Sequence, residues 1–145
     1  MKYRHLFIVV LGAILLVLAG CGSLASTRAA LAQTVHVTLS DQQITADRST
    51  FTPGQPYHFV VSSTGKVAHQ FMMTPRGWDY DHMSMGERHH VALYMYDQIA
   101  PGETKTFDYT FPASVVGQRF GFACYQWGCC GESGMWYPFT VQPHP

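Results

Sequence analysis

Three cysteines and a methionine lie close together near the C-terminus of this 145-residue chain, in the segment Cys124-Tyr-Gln-Trp-Gly-Cys129-Cys130-Gly-Glu-Ser-Gly-Met135. Strand-like runs precede and follow the segment, so we expect it to be the loop that joins the last two strands of a small β protein. Thiolate and thioether sulfurs are soft ligands, which select Cu(I), zinc or iron–sulfur clusters. A long loop from a cysteine to a methionine between two final strands favours copper.

The N-terminus is predicted to be a targeting segment. Lys2 and Arg4 precede an almost wholly apolar run over residues 6–18, and Leu-Ala-Gly-Cys21 then matches a lipoprotein cleavage site. The apolar run is short for a membrane-spanning helix, which needs roughly 20 residues. We therefore expect residues 1–20 to be a signal peptide and Cys21 to be the lipidated residue that anchors the protein to the outer face of a bacterial membrane. Cleavage after Ala32 by an ordinary signal peptidase is the alternative.

One domain is expected after the targeting segment. Residues 21–33 are small and polar and are predicted to be a tether, and residues 34–145 suit a single domain. The chain has nine basic and nine acidic residues, and two of the basic ones lie in the signal peptide, so the exported chain is slightly acidic. No run of Lys and Arg indicates nucleic-acid binding. The motifs of serine hydrolases, zinc proteases and phosphate-binding enzymes are missing from the sequence, so we expect a protein that is not an enzyme.

Alternation of apolar and polar residues predicts short β-strands along the domain, separated by turns that contain Pro and Gly. Residues 76–100 are rich in Met, His and aromatic residues and show only a weak helical pattern, around residues 87–93. About seven short strands and no long helix predict an all-β, Greek-key β-sandwich. The predicted strands lie near residues 34–39, 43–46, 57–62, 67–73, 105–111, 119–123 and 136–141.

The order of these segments resembles that of the cupredoxins, small copper proteins with a Greek-key β-sandwich. In that family, a histidine from the middle of the domain joins a cysteine, a histidine and a methionine from the C-terminal loop. The resemblance therefore implies that His69 is the upstream imidazole ligand, Cys124 the thiolate and Met135 the axial thioether. Four stretches carry it: residues 51–61 (FTPGQPYHFVV), 65–71 (GKVAHQF), 100–107 (APGETKTF) and 122–135, which contains the sulfur-rich loop.

The loop departs from the family at the fourth ligand, because no histidine follows Cys124 within it. Cys129 stands at the spacing that a loop histidine often has and is one replacement; a histidine from residues 82–90 is another. A binuclear copper centre also resembles this loop, but it needs cysteines four residues apart, whereas Cys124 and Cys129 are five apart. Without metal, Cys124 could form a disulfide with Cys129 or Cys130, the usual state of cysteines in an oxidising compartment.

Three functions follow from these alternatives. The first is one-electron transfer with a redox partner protein, through a mononuclear copper site of His69, Cys124 and Met135 with Cys129 as fourth ligand. The second is a Cu(I) chaperone or storage module that serves a copper-handling protein, and the third is a copper-free interaction domain stapled by a disulfide. A second set of residues could help acquire copper, although its simpler interpretation is core packing and loop surface: Met72, Met73, Met83, Met85, Met95, His82, His89 and His90.

Overall fold

The computed structural model describes residues 31–77, 79–126 and 134–143, which contain nine β-strands and one short α-helix, α1, over Met85–Val91. Within these ranges no helix has the length and apolar character needed to cross a membrane. The predicted signal peptide and Cys21 lie outside the described residues. The strands are Gln33–Leu39 (β1), Ile44–Ala46 (β2), Thr50–Phe51 (β3), Pro56–Ser63 (β4), His69–Pro75 (β5), Tyr94–Ile99 (β6), Thr104–Thr110 (β7), Arg119–Cys124 (β8) and Met135–Val141 (β9).

The strands form two sheets that face each other. The first sheet has the order β2-β1-β4-β7, and the second has the order β3-β9-β8-β5-β6. Two neighbouring pairs are parallel, β1 with β4 and β3 with β9, and the other pairs are antiparallel. This arrangement confirms the predicted all-β sandwich of two sheets.

Aromatic side chains fill the space between the sheets. In β4, buried residues alternate strictly with half-exposed ones, as expected for a strand with one face on the core. Phe51 lies near the centre, with ring centroids 4.8 Å from Phe111 and 5.3 Å from Phe139. Phe122 also contacts Phe139, at 4.7 Å. Such ring pairs add packing energy beyond the area that they bury, so this core holds the two sheets in a fixed relation.

The second sheet is covered on its outer face as well. Every residue from His69 to Thr74 in β5 is buried, because the segment between β5 and β6 folds back over the sheet. Met72, Tyr80 and Ala123 form the centre of this outer cluster, separate from the core between the sheets. Residues 69–74 of β5 and 120–124 of β8 are therefore buried on both faces, which explains why these segments do not alternate between apolar and polar residues.

Most strands lie where the sequence predicts them, within one or two residues at each end. Two strands, β3 and β6, lie outside the predicted ones. β3 has only two residues. The Tyr-Met-Tyr-Asp-Gln-Ile sequence of β6 does not alternate, and its pairing with β5 shifts by one residue between His69 and Phe71. The weak helical pattern corresponds to α1, which begins with a capping box. There, the Ser84 hydroxyl accepts from the Glu87 backbone N–H, and the Glu87 carboxylate accepts from Ser84 N–H.

Candidate metal centre

The sheet brings three of the predicted ligands to one end of the sandwich. His69 begins β5, Cys124 ends β8 and Met135 begins β9. Because β8 is antiparallel to both β5 and β9, the start of β5, the end of β8 and the start of β9 lie at the same end of the sheet. Strand pairing thus brings to one end of the sheet residues that are about 55 and 66 positions apart in sequence.

His69 and Cys124 are in direct contact. The His69 Nδ1 atom lies 4.0 Å from the Cys124 Sγ atom, and both residues are fully buried. Metal–nitrogen and metal–sulfur bonds are roughly 2.0 and 2.3 Å long, so two donors that share one ion can be up to roughly 4.3 Å apart. The observed separation fits this limit. A buried imidazole nitrogen and a buried thiol sulfur at this distance suit a transition metal that accepts both kinds of ligand.

Met135 lies beside Cys124. It is the direct cross-strand partner of Cys124 in the β8–β9 pairing, it is 4% exposed, and both residues belong to the core between the sheets. Directly opposed residues lie on the same face of a sheet, so a thioether is available next to the thiol. Gly134 precedes it with φ at +67°, and a Cβ there would meet the Tyr125 ring and the Cys124 carbonyl oxygen. The chain therefore needs glycine where it enters β9.

The second nitrogen of the His69 ring, Nε2, lies close to a carboxylate. Asp41 Oδ1 lies 3.4 Å from His69 Nε2, which is longer than a usual N–H···O hydrogen bond and poorly aligned. Within the described residues, Nε2 has no well-directed hydrogen-bond partner. The Lys66 backbone N–H donates to Asp41 Oδ1 at 2.7 Å. This bond is the main reason that the pKa of Asp41 lies below its usual value, and the contact with His69 lowers the pKa further.

A buried arginine braces the residues that follow the two contacting ligands in sequence. Arg88 of α1 is 5% exposed, and its Nη1 donates to the Tyr125 carbonyl oxygen at 2.8 Å and to Gln70 Oε1 at 3.3 Å. The same Gln70 oxygen accepts from the Tyr125 backbone N–H at 3.4 Å. Gln70 follows His69 and Tyr125 follows Cys124, so these hydrogen bonds connect the two strands that carry the ligands. Sequence reasoning did not find it; the only signal was the capping box that starts the helix.

Several predicted positions lie elsewhere. Cys129 and Cys130 lie outside the described residues, as does any disulfide that involves them. Among the residues the structure describes, no group of three His, Cys, Asp or Glu side chains is close enough to hold a metal. Of the histidines at 82–90, His82 contacts Asp79 at 2.9 Å and His89 contacts Asp97 at 2.7 Å, both at exposed positions. The fourth ligand thus remains a choice between Cys129 and this histidine segment.

The predicted copper-acquisition residues are spread over different environments. Met73 lies in the core between the sheets, Met72 in the outer cluster, and Met83 and Met95 pack against that cluster. Met85 is 43% exposed, and its sulfur accepts from Gln70 Nε2 at 3.4 Å. Four of these methionines thus pack inside the domain, and Met85 lies at the surface.

Known structures match this architecture. An auracyanin from the photosynthetic bacterium Roseiflexus castenholzii aligns at a TM-score of 0.57 and 18% identity, over 79% of this chain and 99% of that one. Auracyanin B aligns at a TM-score of 0.56 and 19% identity, over 77% of this chain and 90% of that one. Auracyanin A, a "blue" copper protein from Chloroflexus aurantiacus, aligns at a TM-score of 0.54 and 14% identity, over 75% of this chain and 98% of that one. The chain has a cupredoxin fold.

The likeness to cupredoxins is one of fold. No protein-family model matches the chain, and no curated protein matches it. In this cupredoxin-fold domain, the contact between His69 and Cys124 lies at one end of the second sheet, at the start of β5 and the end of β8.

Proposed function

We propose that this protein is a copper-binding electron carrier that works outside the cytoplasm. His69 and Cys124 are two ligands of a single copper ion, Met135 is the third, and Cys129 is the candidate for the fourth. One observation carries the proposal: a buried imidazole Nδ1 and a buried thiol Sγ lie 4.0 Å apart, on strands whose ends meet beside a buried methionine. The protein is not expected to catalyse a reaction of its own.

When bound, copper supplies a one-electron couple between Cu(I) and Cu(II), with the electron exchanged with a partner protein. The protein itself keeps the copper-binding side chains in fixed positions. Cys124 provides a thiolate, which is the strongest electron donor of the set, and His69 provides the neutral imidazole that both oxidation states accept. Both side chains sit on paired strands and are closed off from water, so the ligands hold their positions without metal. Fixed ligands keep the rearrangement that accompanies electron transfer small.

The predicted lipid anchor places this activity at a membrane surface. A signal peptide over residues 1–20, lipidation of Cys21 and a tether up to residue 33 would leave the domain free to meet partners near the membrane. Labelling of the full chain with a radioactive fatty acid tests this part of the proposal. Incorporation that is lost in a Cys21→Ala variant supports lipidation, and release of a soluble protein that starts at Gln33 would show cleavage after Ala32 instead.

The second candidate function is storage or delivery of Cu(I). The second thiol at Cys129, five residues after Cys124, favours it, because two thiolates bind Cu(I) more strongly than Cu(II). In this case the same buried ligands would hold copper without cycling between oxidation states.

Optical and EPR spectra separate these functions. Residues 33–145 would be reduced without oxygen, given one equivalent of copper and then reoxidised. Electron transfer predicts an intense visible thiolate-to-Cu(II) band and a mononuclear Cu(II) signal, both lost in Cys124→Ser. His58→Ala is a matched control, since His58 is a half-exposed histidine on β4 of the first sheet, away from the site, where it pairs with Asp108 of the neighbouring strand β7.

The other outcomes are equally informative. Tight binding by a colourless, EPR-silent protein that resists oxidation would support the Cu(I) carrier. If no copper is retained, both copper functions fail. A thiol count on the metal-free fragment then tests the stapled interaction domain, which predicts one reactive thiol rather than three.

A further inference from the structure

We infer that Asp41 is a positioning residue for the candidate metal centre: its carboxylate holds the His69 ring with the proton on Nε2, so that the Nδ1 lone pair points at the metal. The inference rests on the proposed function. It assigns a role to a residue far from the ligand motif in sequence, in the turn that follows β1.

The carboxylate is held in place by the backbone of the segment that leads into β5. Asp41 Oδ1 accepts from the Lys66 N–H at 2.7 Å and from the Val67 N–H at 3.4 Å. The same segment is attached to the end of β1, where the Thr64 N–H donates to the Leu39 carbonyl oxygen at 2.8 Å. These bonds fix Asp41 relative to the start of β5, which is where His69 lies.

The contact between Asp41 and His69 favours a proton on one of the two ring nitrogens. A carboxylate is only an acceptor, and a neutral imidazole has one N–H and one lone pair. Within the described chain the buried Nε2 makes no well-aligned hydrogen bond, and the Asp41 carboxylate oxygen lies 3.4 Å away, so this carboxylate favours the tautomer that has the proton on Nε2. With the proton on Nε2, the lone pair is on Nδ1, the atom that faces Cys124 Sγ.

The absence of a side chain at Gly65 allows Asp41 and His69 to lie close together. A Cβ at Gly65 would meet both His69 Nε2 and Asp41 Oδ1, so only glycine lets the loop lie over the pair. The His69 side chain is fully buried, whereas the Asp41 side chain is 38% exposed. Asp41 therefore connects a buried ligand with the protein surface, a common arrangement behind histidines that bind metals.

The first test uses metal-free protein. In the 15N-labelled full chain, ring nitrogen shifts and two-bond couplings assign the tautomer of His69. The inference predicts a proton on Nε2 in the wild type and loss of this preference in Asp41→Ala, where no acceptor remains. A proton on Nδ1 in the wild type overturns the inference, whether or not the protein binds copper.

The second test measures Cu(II) affinity by competition with a chelator. Loss of such a carboxylate typically weakens metal binding about 10–100-fold, and Asp41→Asn and Asp41→Ala should show this loss. Asp108→Asn is the matched control, because Asp108 makes a 2.7 Å contact with the half-exposed His58; its affinity should stay within about twofold of the wild type.

The results distinguish the two proposals. Equal affinities for Asp41→Asn and Asp108→Asn would refute the positioning role while leaving the copper site intact. If the wild type binds no copper, the proposed function fails, and the tautomer measurement still decides whether Asp41 sets the state of His69.

Discussion

Replacement of Arg88 by methionine tests whether the buried hydrogen bonds of Arg88 hold together the two strands that carry His69 and Cys124. Methionine keeps most of the apolar length of arginine and removes its charge and donors. The change leaves the Tyr125 carbonyl oxygen and Gln70 Oε1 without the Nη1 donor, at present 2.8 and 3.3 Å away. Since Arg88 is 5% exposed, water cannot readily replace this donor.

The size of the effect follows from these contacts. A hydrogen bond from a charged donor contributes roughly 1.5–3 kcal/mol, and the longer of the two contributes less. Part of this loss is offset, because Arg88 Nε is buried without a partner in the described chain and its removal relieves a desolvation cost. We expect a net loss of about 2–3 kcal/mol in the free energy of unfolding. At roughly 4 °C per kcal/mol for a domain of this size, Tm falls by about 8–12 °C.

Thermal unfolding of the metal-free, reduced protein, followed by circular dichroism, measures this change. Arg119→Met is the matched control, because Arg119 is an exposed arginine on β8 and surface substitutions stay within about 0.5 kcal/mol. Arg88→Lys should recover part of the loss, since it restores one charged donor. If Arg88→Met and Arg119→Met unfold at the same temperature, Arg88 does not brace the strands and this account of the site is wrong.

Two further predictions concern positions near the site. Gly65→Ala should lose about 1–3 kcal/mol in urea unfolding, because its new methyl group meets His69 and Asp41; Gly86→Ala, in α1 with nothing within 4 Å, should gain about 0.5–1 kcal/mol. Equal changes in the free energy of unfolding for the two variants would refute the claim that a side chain at position 65 is crowded. Ser84 bonds lower the pKa of Glu87 below its usual value, so Glu87 stabilises the fold at neutral pH and this contribution is lost as pH falls through the lowered pKa. The Tm of Glu87→Ala should thus lie below that of the wild type at pH 7, and the difference should shrink as the pH falls through the lowered pKa of Glu87. A difference in Tm that stays constant with pH would contradict this.

The sequence predicted the parts of the fold in which local pattern and burial agree. β4 alternates because one face is buried and the other half-exposed, so its Tyr-His-Phe-Val-Val run was recognisable. β6 is not recognisable, because its first three residues are all partly buried, the next two are exposed, and its pairing with β5 shifts by one residue. A one-residue shift in pairing changes which residues face the core, so no alternation of period two extends along the whole strand.

The same limit applies to the site. His69, Cys124 and Met135 were identified from a resemblance that covers their local motifs. Asp41 and Arg88 were not, because their contacts depend on which loops the topology brings together. Asp41 is 28 residues from His69 in sequence, and Arg88 is 37 residues from Tyr125. No local pattern marks an acidic residue in a turn, or a basic residue in a two-turn helix, as part of a buried site.

The most direct test of the account is X-ray absorption at the copper edge of the loaded protein, compared between the wild type and Cys124→Ser. The account predicts at least one sulfur and at least one imidazole nitrogen in the first coordination shell of the wild type, at roughly 2.3 Å or less. In Cys124→Ser the short sulfur contribution should fall while the imidazole signal remains. A wild-type copper shell that contains only nitrogen and oxygen atoms, or one that Cys124→Ser leaves unchanged, would contradict the claim that His69 and Cys124 bind the same copper ion.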